Sequence, residues 1–441
     1  MGQSTGRAIG ETSAANVLIM VAQVGAGALA ARLLGPEGRG ELAAIQLWPS
    51  TLITFGSLGL IAAATYFSGR EKAQAGEITG TAWIALMAMC LPLIGLGYWL
   101  LPALLHSQPA RVVRTARIML WLVPIQFSGN LPFGVLQGLG RFRIWNVVRV
   151  EFTLLWAGAL LISLWTGHRD APFVAIGYLI AMGVHAATWI AALLYAVPGP
   201  YRAAVHRIPD MLRYGVPAIA TGIPQQLNLR LDQMLMGAFL PARVLGLYVV
   251  AAAVSGVMAP ILTAVSQVMF SHLARVEERE KQEQDTARAM RLSSVAALGL
   301  VAALLVMTPV ALPLVYGLDF GPAIPAAMVL IVAGGIANLN VIAGECLRGM
   351  GLPRLPLIAE GAGLVITFVL LALLLNRYQL MGAAAASFSA YAAVLLAYLI
   401  LLNRRTRIPI RMFLIPRGDE LRGLWSLARG SLARGFQGNG I

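Results

Sequence analysis

A group of polar side chains lies inside an otherwise apolar stretch near the middle of the chain. Between Pro217 and Leu240, the sequence contains Gln225, Gln226, Asn228, Arg230, Asp232 and Gln233. A charged side chain at the centre of a membrane costs about 2.5–3.5 kcal/mol on insertion scales, so such a residue marks a functional site or has a partner. Each charge here therefore needs a partner on another helix or a water-filled cavity.

On a helix, these six residues form two neighbouring stripes. The first stripe is Gln226, Arg230 and Gln233, and the second stripe is Gln225, Asn228 and Asp232. Together the stripes cover about 200° of the helix surface, which is too wide for a face toward lipid. Arg230 and Asp232 are two residues apart, so they do not face and neutralise each other. Two interpretations stay open for Arg230: it faces a cavity, or it forms a structural pair or reaches the outer interface.

Helix-breaking residues come just before this polar group. Pro217, Gly222 and Pro224 interrupt or weaken backbone hydrogen bonds and permit a bend. Such a bend either lets the helix lean during alternating access or is a static kink.

The hydrophobic composition of the rest of the chain predicts the helices that position this polar group. Of its 441 residues, 58% are hydrophobic and 12% are charged, whereas roughly a quarter are charged in a soluble domain. We predict an all-α polytopic membrane protein with about twelve transmembrane helices, because unpaired backbone in lipid excludes open strands. The predicted spans are 12–34, 42–68, 78–104, 112–138, 144–166, 171–197, 211–239, 244–272, 288–316, 322–347, 355–376 and 382–402.

The sequence contains an internal repeat. Leu136–Arg143 and Leu347–Arg354 both fit the pattern L-x-G-x-G-x-x-R, and each lies between two long apolar stretches. A second, weaker repeat relates Leu34–Leu42 to Phe239–Tyr248. Two halves with a matching layout indicate a transporter formed by duplication, with its site between the halves.

The repeat also predicts the domain organisation. We expect a six-helix bundle at residues 1–200, a second six-helix bundle at 201–402, and a basic cytoplasmic tail at 403–441. The tail either forms an amphipathic helix on an anionic leaflet, with Leu421 and Trp425 on its apolar face, or is disordered, since it is rich in glycine.

The basic residues predict the orientation in the membrane. The net charge is +14, which in a soluble protein would suggest nucleic acid as a partner. With both termini cytoplasmic, most Lys and Arg fall on the cytoplasmic side, so the charge follows the positive-inside rule and no nucleic-acid partner is expected. The main exception is Arg111, Arg114 and Arg117, which fit a snorkelling face at the outer start of the fourth span.

No enzyme chemistry is predicted from the motifs. The five histidines are scattered, and Cys90 and Cys346 lie in different apolar segments. Gly138-x-Gly140 lacks the third glycine of a dinucleotide loop, and no G-x-x-x-x-G-K-[ST] motif is present. We therefore expect no metal, no cofactor and no enzymatic activity, with transport driven by an ion gradient, the substrate gradient or a partner.

Weaker polar candidates lie in other spans. Gln126 and Asn130 precede the first copy of the repeated motif, and Asn338 and Asn340 precede the second. These amides either hydrogen-bond a substrate or join helices.

Other polar and small residues predict local structure. Glutamates lie close in sequence to arginines near helix ends, so local ion pairs are expected there. These neighbours are Glu151 and Arg149, Glu345 and Arg348, and Glu360 and Arg354. Gly134, Gly138 and Gly140 predict a close helix approach and a tight turn.

Several motifs resemble those of one membrane-transport family. Ala31–Leu42 resembles the R-x-L-G-P-E-x-x-G turn after the first helix of polysaccharide-biosynthesis flippases. Asn228–Gly237 resembles their seventh-helix pattern, an aspartate followed by an apolar run and a glycine, and Leu136–Gly140 resembles their L-Q-G-x-G turn. The resemblance covers nearly the whole chain. It is to the Wzx-like O-antigen or exopolysaccharide branch of the multidrug/oligosaccharidyl-lipid/polysaccharide exporter superfamily.

This resemblance implies a flippase of the bacterial inner (plasma) membrane. It would move a polyprenyl-diphosphate-linked oligosaccharide from the inner to the outer leaflet by alternating access, alongside a glycan polymerase and glycosyltransferases. Arg230 would attract the diphosphate, and Asp232 would bind a coupling proton or sodium ion. The other candidate substrate-binding residues are Gln226, Gln233, Asn228, Gln126, Asn130 and Arg32. Outside Arg230, obvious intramembrane cations are few.

Two alternatives stay open at this point. A drug/cation antiporter of the same superfamily would need an acidic, aromatic-lined cavity, which the few intramembrane acids and Arg230 oppose. A glycan polymerase or ligase would carry a large external loop with catalytic residues, and no predicted external connection is long enough.

Overall fold

The computed structural model describes most of the chain. It covers residues 2–197, 199–220, 222–260, 278–406 and 408–414, with isolated residues between 262 and 276. Side chains are described at Asn16 and from residue 18 onward. The predicted apolar face around Leu421 and Trp425 lies outside the described residues, so the two interpretations of the tail stay predictions.

Within the described residues, every regular element is helical, and short 3₁₀ turns join several of the helices. The α-helices are α1 (Gly2–Gly56), α2 (Leu60–Arg70), α3 (Ala75–Leu104), α4 (Ala110–Ile118), α5 (Leu122–Gly138), α6 (Phe142–Thr166), α7 (Ala171–Ala196), α8 (Ile208–Ala220), α9 (Ile223–Asn228), α10 (Leu231–Phe239), α11 (Ala242–Gly256), α12 (Arg279–Tyr316), α13 (Ile324–Gly349), α14 (Arg354–Thr406) and α15 (Arg411–Leu414).

The apolar helices confirm an all-α polytopic membrane protein. In the described part of the chain, eight helices are long and apolar enough to cross a membrane. Two of them change direction within their length: α1 at Gly35 (φ 65°) and α14 at Gln379 (φ 44°). Helix α14 contains the last two predicted spans, and α1 contains the first predicted span and the beginning of the second. The number of twelve spans stays a prediction, because the described residues are sparse between 261 and 277.

The seventh span was predicted as one helix over 211–239, and this is wrong. The segment is divided into α8, α9 and α10. The first division lies between Pro217 and Pro224, where the missing proline N–H groups interrupt the helical hydrogen bonds. The second division falls at Arg230, whose N–H donates to the carbonyl oxygen of Leu227 (3.0 Å) before the next helix begins.

Both copies of the repeated motif form the same turn. In the first copy, the Arg141 N–H donates to the Leu136 carbonyl oxygen, and the Gly140 N–H donates to the Gln137 oxygen, both at 3.0 Å. The bonds of the second copy are Leu352 N–H to the Leu347 oxygen and Gly351 N–H to the Arg348 oxygen, both at 2.9 Å. These pairs of bonds form Schellman motifs, and the glycines adopt φ of 72° and 77°. The sequence repeat is therefore also a repeat of backbone structure.

The first copy of the motif also confirms the predicted close helix approach. A Cβ atom on Gly138 would lie 2.2 Å from the carbonyl oxygen of Thr65, and one on Gly134 would lie 2.6 Å from the Thr65 hydroxyl. Helix α5 therefore packs against α2 at a distance that only glycine permits.

The chain forms two compact units, which differ from a simple division into halves. The first unit extends to Ala251 and includes Val310–Ala326 and Leu370–Ala383. The second unit contains Ala252–Pro309, Ala327–Val369 and the chain from Ala384. The bundles expected at 1–200 and 201–402 stay a prediction. They were inferred from the repeat in the sequence, whereas the two units are defined by the contacts that the chain makes in one conformation.

The two segments of the weaker repeat contact each other within the first unit. A Cβ atom on Gly40 would lie 1.7 Å from the carbonyl oxygen of Ala242, and one on Gly246 would lie 1.8 Å from that of Pro36. The contact is reciprocal, as expected where two copies of one segment meet across a two-fold axis. Glycine is required at both positions because the backbones touch.

The second unit has an apolar core that includes the buried side chains of Tyr398, Leu402 and Phe413. In this unit, Asn340 donates a hydrogen bond to the carbonyl oxygen of Tyr391 (3.0 Å). Asn340 thus joins α13 to α14, which is one of the two roles predicted for it.

Candidate functional site

The first stripe of the polar group lines a cavity in the first unit. The cavity has a volume of about 440 Å³, within the usual range for small-molecule sites. Its lining residues are Arg39, Ala43, Gln46, Leu47 and Ser50 from α1, and Gln226, Leu229, Arg230, Gln233 and Val249 from the later segment. The structure therefore brings together three of the predicted substrate-binding residues: Gln226, Arg230 and Gln233.

Arg230 reaches this cavity from the division between α9 and α10. It is the residue immediately before α10, with φ −127° and ψ −15°, so its backbone is not helical. Its Nη1 donates a hydrogen bond to the Oγ of Ser50 at 3.1 Å. The side chain is half-buried, and its remaining N–H groups can bind an anion in the cavity.

Arg39 is a second cation in the same cavity, and it was not among the substrate-binding residues predicted from the sequence. Residues 35–41 were expected to form an outer connection. The chain turns at Gly35 (φ 65°), and Arg39 lies in the helical part of α1 that follows this kink. The Nε of Arg39 is buried and makes no hydrogen bond to any described residue. A buried donor of this kind has unused capacity to bind a ligand. A signal was present: Arg39, Gln46 and Ser50 recur at helical spacing and share one face.

The charge of the cavity is one-sided. Two arginines line it, together with three glutamine amides and one serine hydroxyl, and none of the lining residues is acidic. Guanidinium groups bind phosphates through two parallel hydrogen bonds, and amides bind hydroxyl groups as donors and acceptors. The arrangement is suited to an anionic ligand that also carries hydroxyl groups.

Two residues of the second stripe have different surroundings. Asn228 and Asp232 are 2% and 5% exposed, and neither lines the cavity. The Asp232 Oδ1 accepts a hydrogen bond from the Gln233 N–H (2.7 Å), and its Oδ2 accepts one from the Tyr248 hydroxyl. A carboxylate in the first turn satisfies an unpaired N–H and interacts favourably with the helix dipole. The proposed ion-coupling role of Asp232 stays a prediction.

The remaining predicted site residues lie away from this lining. Gln126 and Asn130 are half-buried on α5. Arg32 donates hydrogen bonds to the carbonyl oxygens of Val315 (2.9 Å) and Leu314, near the end of α12. Arg32 therefore satisfies carbonyl groups that the helix leaves unpaired. Substrate contacts by these three residues stay predictions.

The arginines at the start of the fourth span have local partners. Arg111 forms an ion pair with the buried Glu41 at 2.6 Å. The Arg117 guanidinium lies over the Tyr98 ring, 4.1 Å from its centroid. These contacts give two members of the predicted snorkelling face a structural role.

The predicted glutamate–arginine pairs have mixed outcomes. Glu345 and Arg348 form the expected ion pair at 2.5 Å. The prediction for Glu151 is wrong, because Glu151 accepts a hydrogen bond from Thr188 (2.8 Å) and contacts His185 on α7. Thr188 and His185 lie on the neighbouring helix, which sequence proximity could not indicate.

The chain is similar to known proteins both in sequence and in fold. The family model described as "Polysaccharide biosynthesis protein" matches residues 174–325. No curated protein matches the sequence. Among solved structures, the chain is similar to "Lipid II flippase MurJ, inward closed conformation", with a TM-score of 0.74 and 14% identity over 91% of this chain and 88% of that chain.

The chain is also similar to multidrug transporters. For an inward-facing "multidrug resistance MATE family transporter of the MOP superfamily", the TM-score is 0.64, with 18% identity over 91% of this chain and 94% of that chain. For "MATE multidrug transporter DinF-BH in complex with R6G", it is 0.62, with 14% identity over 89% and 95%. The chain has the fold of these transporters. At these identities, the likeness establishes the fold, and the function must be argued from the site.

Proposed function

We propose that the protein is a flippase for a polyprenyl-diphosphate-linked oligosaccharide, an O-antigen or exopolysaccharide repeat unit. It would move this lipid from the inner to the outer leaflet of the bacterial inner membrane by alternating access. The observation that carries the proposal is the cavity lined by Arg39, Arg230 and glutamine amides, with no acidic residue in its lining. The match to the polysaccharide-biosynthesis family model supports the same class of substrate.

The chemistry of the substrate fits this lining. A diphosphate and its sugars cannot cross hydrocarbon unaided, because burying an unpaired charge is too costly. Arg39 and Arg230 bind the diphosphate by charge-assisted hydrogen bonds. Gln46, Gln226 and Gln233 hydrogen-bond the sugar hydroxyls. The polyprenyl tail remains in lipid while the head group moves.

Asp232 has a positioning role in this proposal. Its carboxylate stabilises the first turn of α10, directly after Arg230. This contact keeps Arg230 outside the regular helix, where its guanidinium enters the cavity. An ion-coupling role for Asp232 remains the alternative, and the two roles predict different behaviour of the asparagine variant.

The two alternative functions fit the site less well. A drug/cation antiporter binds cations, which two arginines without a carboxylate would repel. A glycan polymerase or ligase needs catalytic groups on a substantial external loop. Described connections at the predicted outer side, such as Gly167–Asp170, are short.

Gene deletion tests the proposed function. Cells without the protein should synthesise the lipid-linked oligosaccharide but accumulate it and lose surface glycan. Wild-type protein should restore display, and an Arg39→Ala/Arg230→Ala variant present at the same membrane level should not. Normal surface glycan with increased drug sensitivity would instead support the antiporter.

The orientation in the membrane is a separate part of the proposal. With both termini cytoplasmic, reporter fusions after Arg70, Pro200, Glu280 and Arg405 should report cytoplasm. A fusion at Gln108 should report the exterior. An external report at Pro200 would contradict this topology.

A further inference from the structure

A second cavity lies in the first unit, apart from the proposed substrate site. It has a volume of about 460 Å³. The cavity is lined by three segments, which lie around the start of α3, after α5 and at the end of α7. The lining residues are Lys72, Ala73, Ala75, Gly76, Leu139, Gly140, Arg141, Ala196 and Val197. In the predicted topology, all three segments lie at the cytoplasmic end of the helices. The cavity therefore combines two cations with apolar and backbone surface.

In the part of the chain that the structure describes, neighbouring acids do not neutralise the two cations. Among the described residues, neither Lys72 nor Arg141 has an ion pair. The nearby carboxylates of Glu71 and Glu77 both pair with Arg207, at 2.9 Å and 2.7 Å. The hydrogen bond that Arg207 donates to Glu71 raises the pKa of its guanidinium, so this cation stays charged. Lys72 and Arg141 remain available to an external anion.

The internal repeat shows that the turn does not require a cation at position 141. Arg141 directly follows the positive-φ Gly140, and Leu352 takes the same place after Gly351. Both turns make the same pair of backbone hydrogen bonds, so leucine serves the turn as well as arginine does. Arg143, in contrast, has its counterpart in Arg354. The fold accounts for the turn but not for the charge of Arg141.

Two exposed aromatic residues are adjacent in sequence to lining residues of this cavity. Tyr195 precedes the lining residue Ala196 and is 86% exposed, and Phe142 follows Arg141 and is 40% exposed. Exposed aromatic residues at the ends of membrane helices lie at the level of lipid head groups. These two residues therefore place the cavity, with its cations Lys72 and Arg141, near the level of the lipid head groups.

We propose that this cavity binds the phosphate-bearing head group of an anionic phospholipid in the cytoplasmic leaflet. That leaflet is rich in anionic lipids, which basic residues near the membrane surface attract. The site is distinct from the proposed flippase cavity, since the two share no lining residue. The proposal does not depend on the identity of the transported molecule.

Lipid binding by the purified full-length protein tests this site. Native mass spectrometry would measure the affinity for phosphatidylglycerol, with phosphatidylcholine as the neutral lipid. A Lys72→Gln/Arg141→Gln variant should bind phosphatidylglycerol at least tenfold more weakly, and Lys72→Arg should bind it normally. The matched control is Arg143→Gln/Arg202→Gln, which removes the same charge from exposed residues outside the lining and should keep wild-type affinity.

Each outcome has a defined meaning. Equal loss in the test and control variants would show only a diffuse charge effect and would overturn the site. Thermal unfolding with inorganic phosphate separates a lipid from a free anion. Protection by phosphate alone, with no additional effect of phosphatidylglycerol, would overturn the lipid assignment. If the double variant unfolds, the same affinity measurement is made on Arg141→Leu. Leucine occupies the corresponding position in the second copy of the motif, so this variant should keep the turn.

Discussion

The two stripes of the polar group between residues 225 and 233 differ in their surroundings. In the first stripe, Gln226, Arg230 and Gln233 line a cavity. In the second, Asn228 and Asp232 are buried in protein. One short segment therefore places its polar residues in two settings: one side lines a cavity, and the other side is buried, where Asp232 accepts hydrogen bonds from the Gln233 N–H and the Tyr248 hydroxyl. A polar residue in a membrane segment does not by itself identify a ligand contact.

This difference can be measured because the stripes should respond differently to mutation. Variants of the first stripe should lose transport and remain folded. Variants at Asp232 should lose stability first.

Arg230→Ala should have the largest effect on transport. A hydrogen bond to a charged group contributes about 1.5–3 kcal/mol, so flipping should fall roughly ten- to a hundredfold. Arg230→Lys should retain part of the activity, because it keeps the charge but loses the bidentate geometry. The flipping rate of both variants is measured in proteoliposomes, and thermal unfolding verifies that each variant is folded. Normal flipping by Arg230→Ala would place the cationic site elsewhere, with Arg39, Arg32 and Arg111 as the next residues to test.

Asp232→Ala should mainly lower stability. Removing the carboxylate leaves the Tyr248 hydroxyl and the Gln233 N–H without this acceptor, at a cost of about 1–3 kcal/mol. Thermal unfolding of the purified protein measures the loss of stability. The flipping rate per folded molecule should fall by less in Asp232→Ala than in Arg230→Ala. If Asp232→Asn is as stable as wild type but loses its dependence on a proton or sodium gradient, the ion-coupling role is correct and the positioning role is wrong.

Gln226→Ala and Gln233→Ala should each have an intermediate effect. A neutral hydrogen bond contributes about 0.5–1.5 kcal/mol, so the apparent KM should rise about two- to tenfold, with little change in unfolding temperature. Gln225→Ala is the matched control, because Gln225 precedes Gln226 and does not line the cavity. An equal effect of Gln225→Ala would remove the distinction between the stripes.

Ser50→Ala should have the smallest effect. The Ser50 hydroxyl accepts one hydrogen bond from Arg230 at 3.1 Å, and water can replace it in an open cavity. We expect flipping to fall by about twofold or less. A loss as large as that of Arg230→Ala would mean that Ser50 fixes the orientation of the guanidinium.

Much of the fold could be predicted from local sequence. The length of the apolar runs defined spans such as 144–166 and 171–197, which agree with α6 and α7 within a few residues. The repeated glycine motif predicted the turn at Gly140, and Gly351 forms the same turn. Such features depend on a few neighbouring residues, so they can be recognised without the tertiary structure.

The candidate site was only partly predictable. Hydrophobic length suggested a continuous seventh helix, but the segment is divided at Arg230, and Asp232 just after the division accepts a hydrogen bond from Tyr248, a residue of α11. Arg39 was assigned to the turn after the first helix, but the non-helical backbone is at Gly35 and Arg39 lies in the helical part of α1 that follows. Arg32 has a partner far along the chain, the end of α12. These contacts are set by tertiary packing and cannot be derived from the spacing of residues.

Substrate binding by the purified protein tests the central claim most directly. Binding of a polyprenyl-diphosphate oligosaccharide would be measured in nanodiscs for wild type, Arg39→Ala/Arg230→Ala and Asp232→Asn, each confirmed as folded. The double variant should lose more than a hundredfold in affinity, because both charge-assisted contacts to the diphosphate are removed. Asp232→Asn should stay within a few-fold of wild type. If the double variant binds as tightly as wild type, the cavity between α1 and α10 is not the diphosphate site.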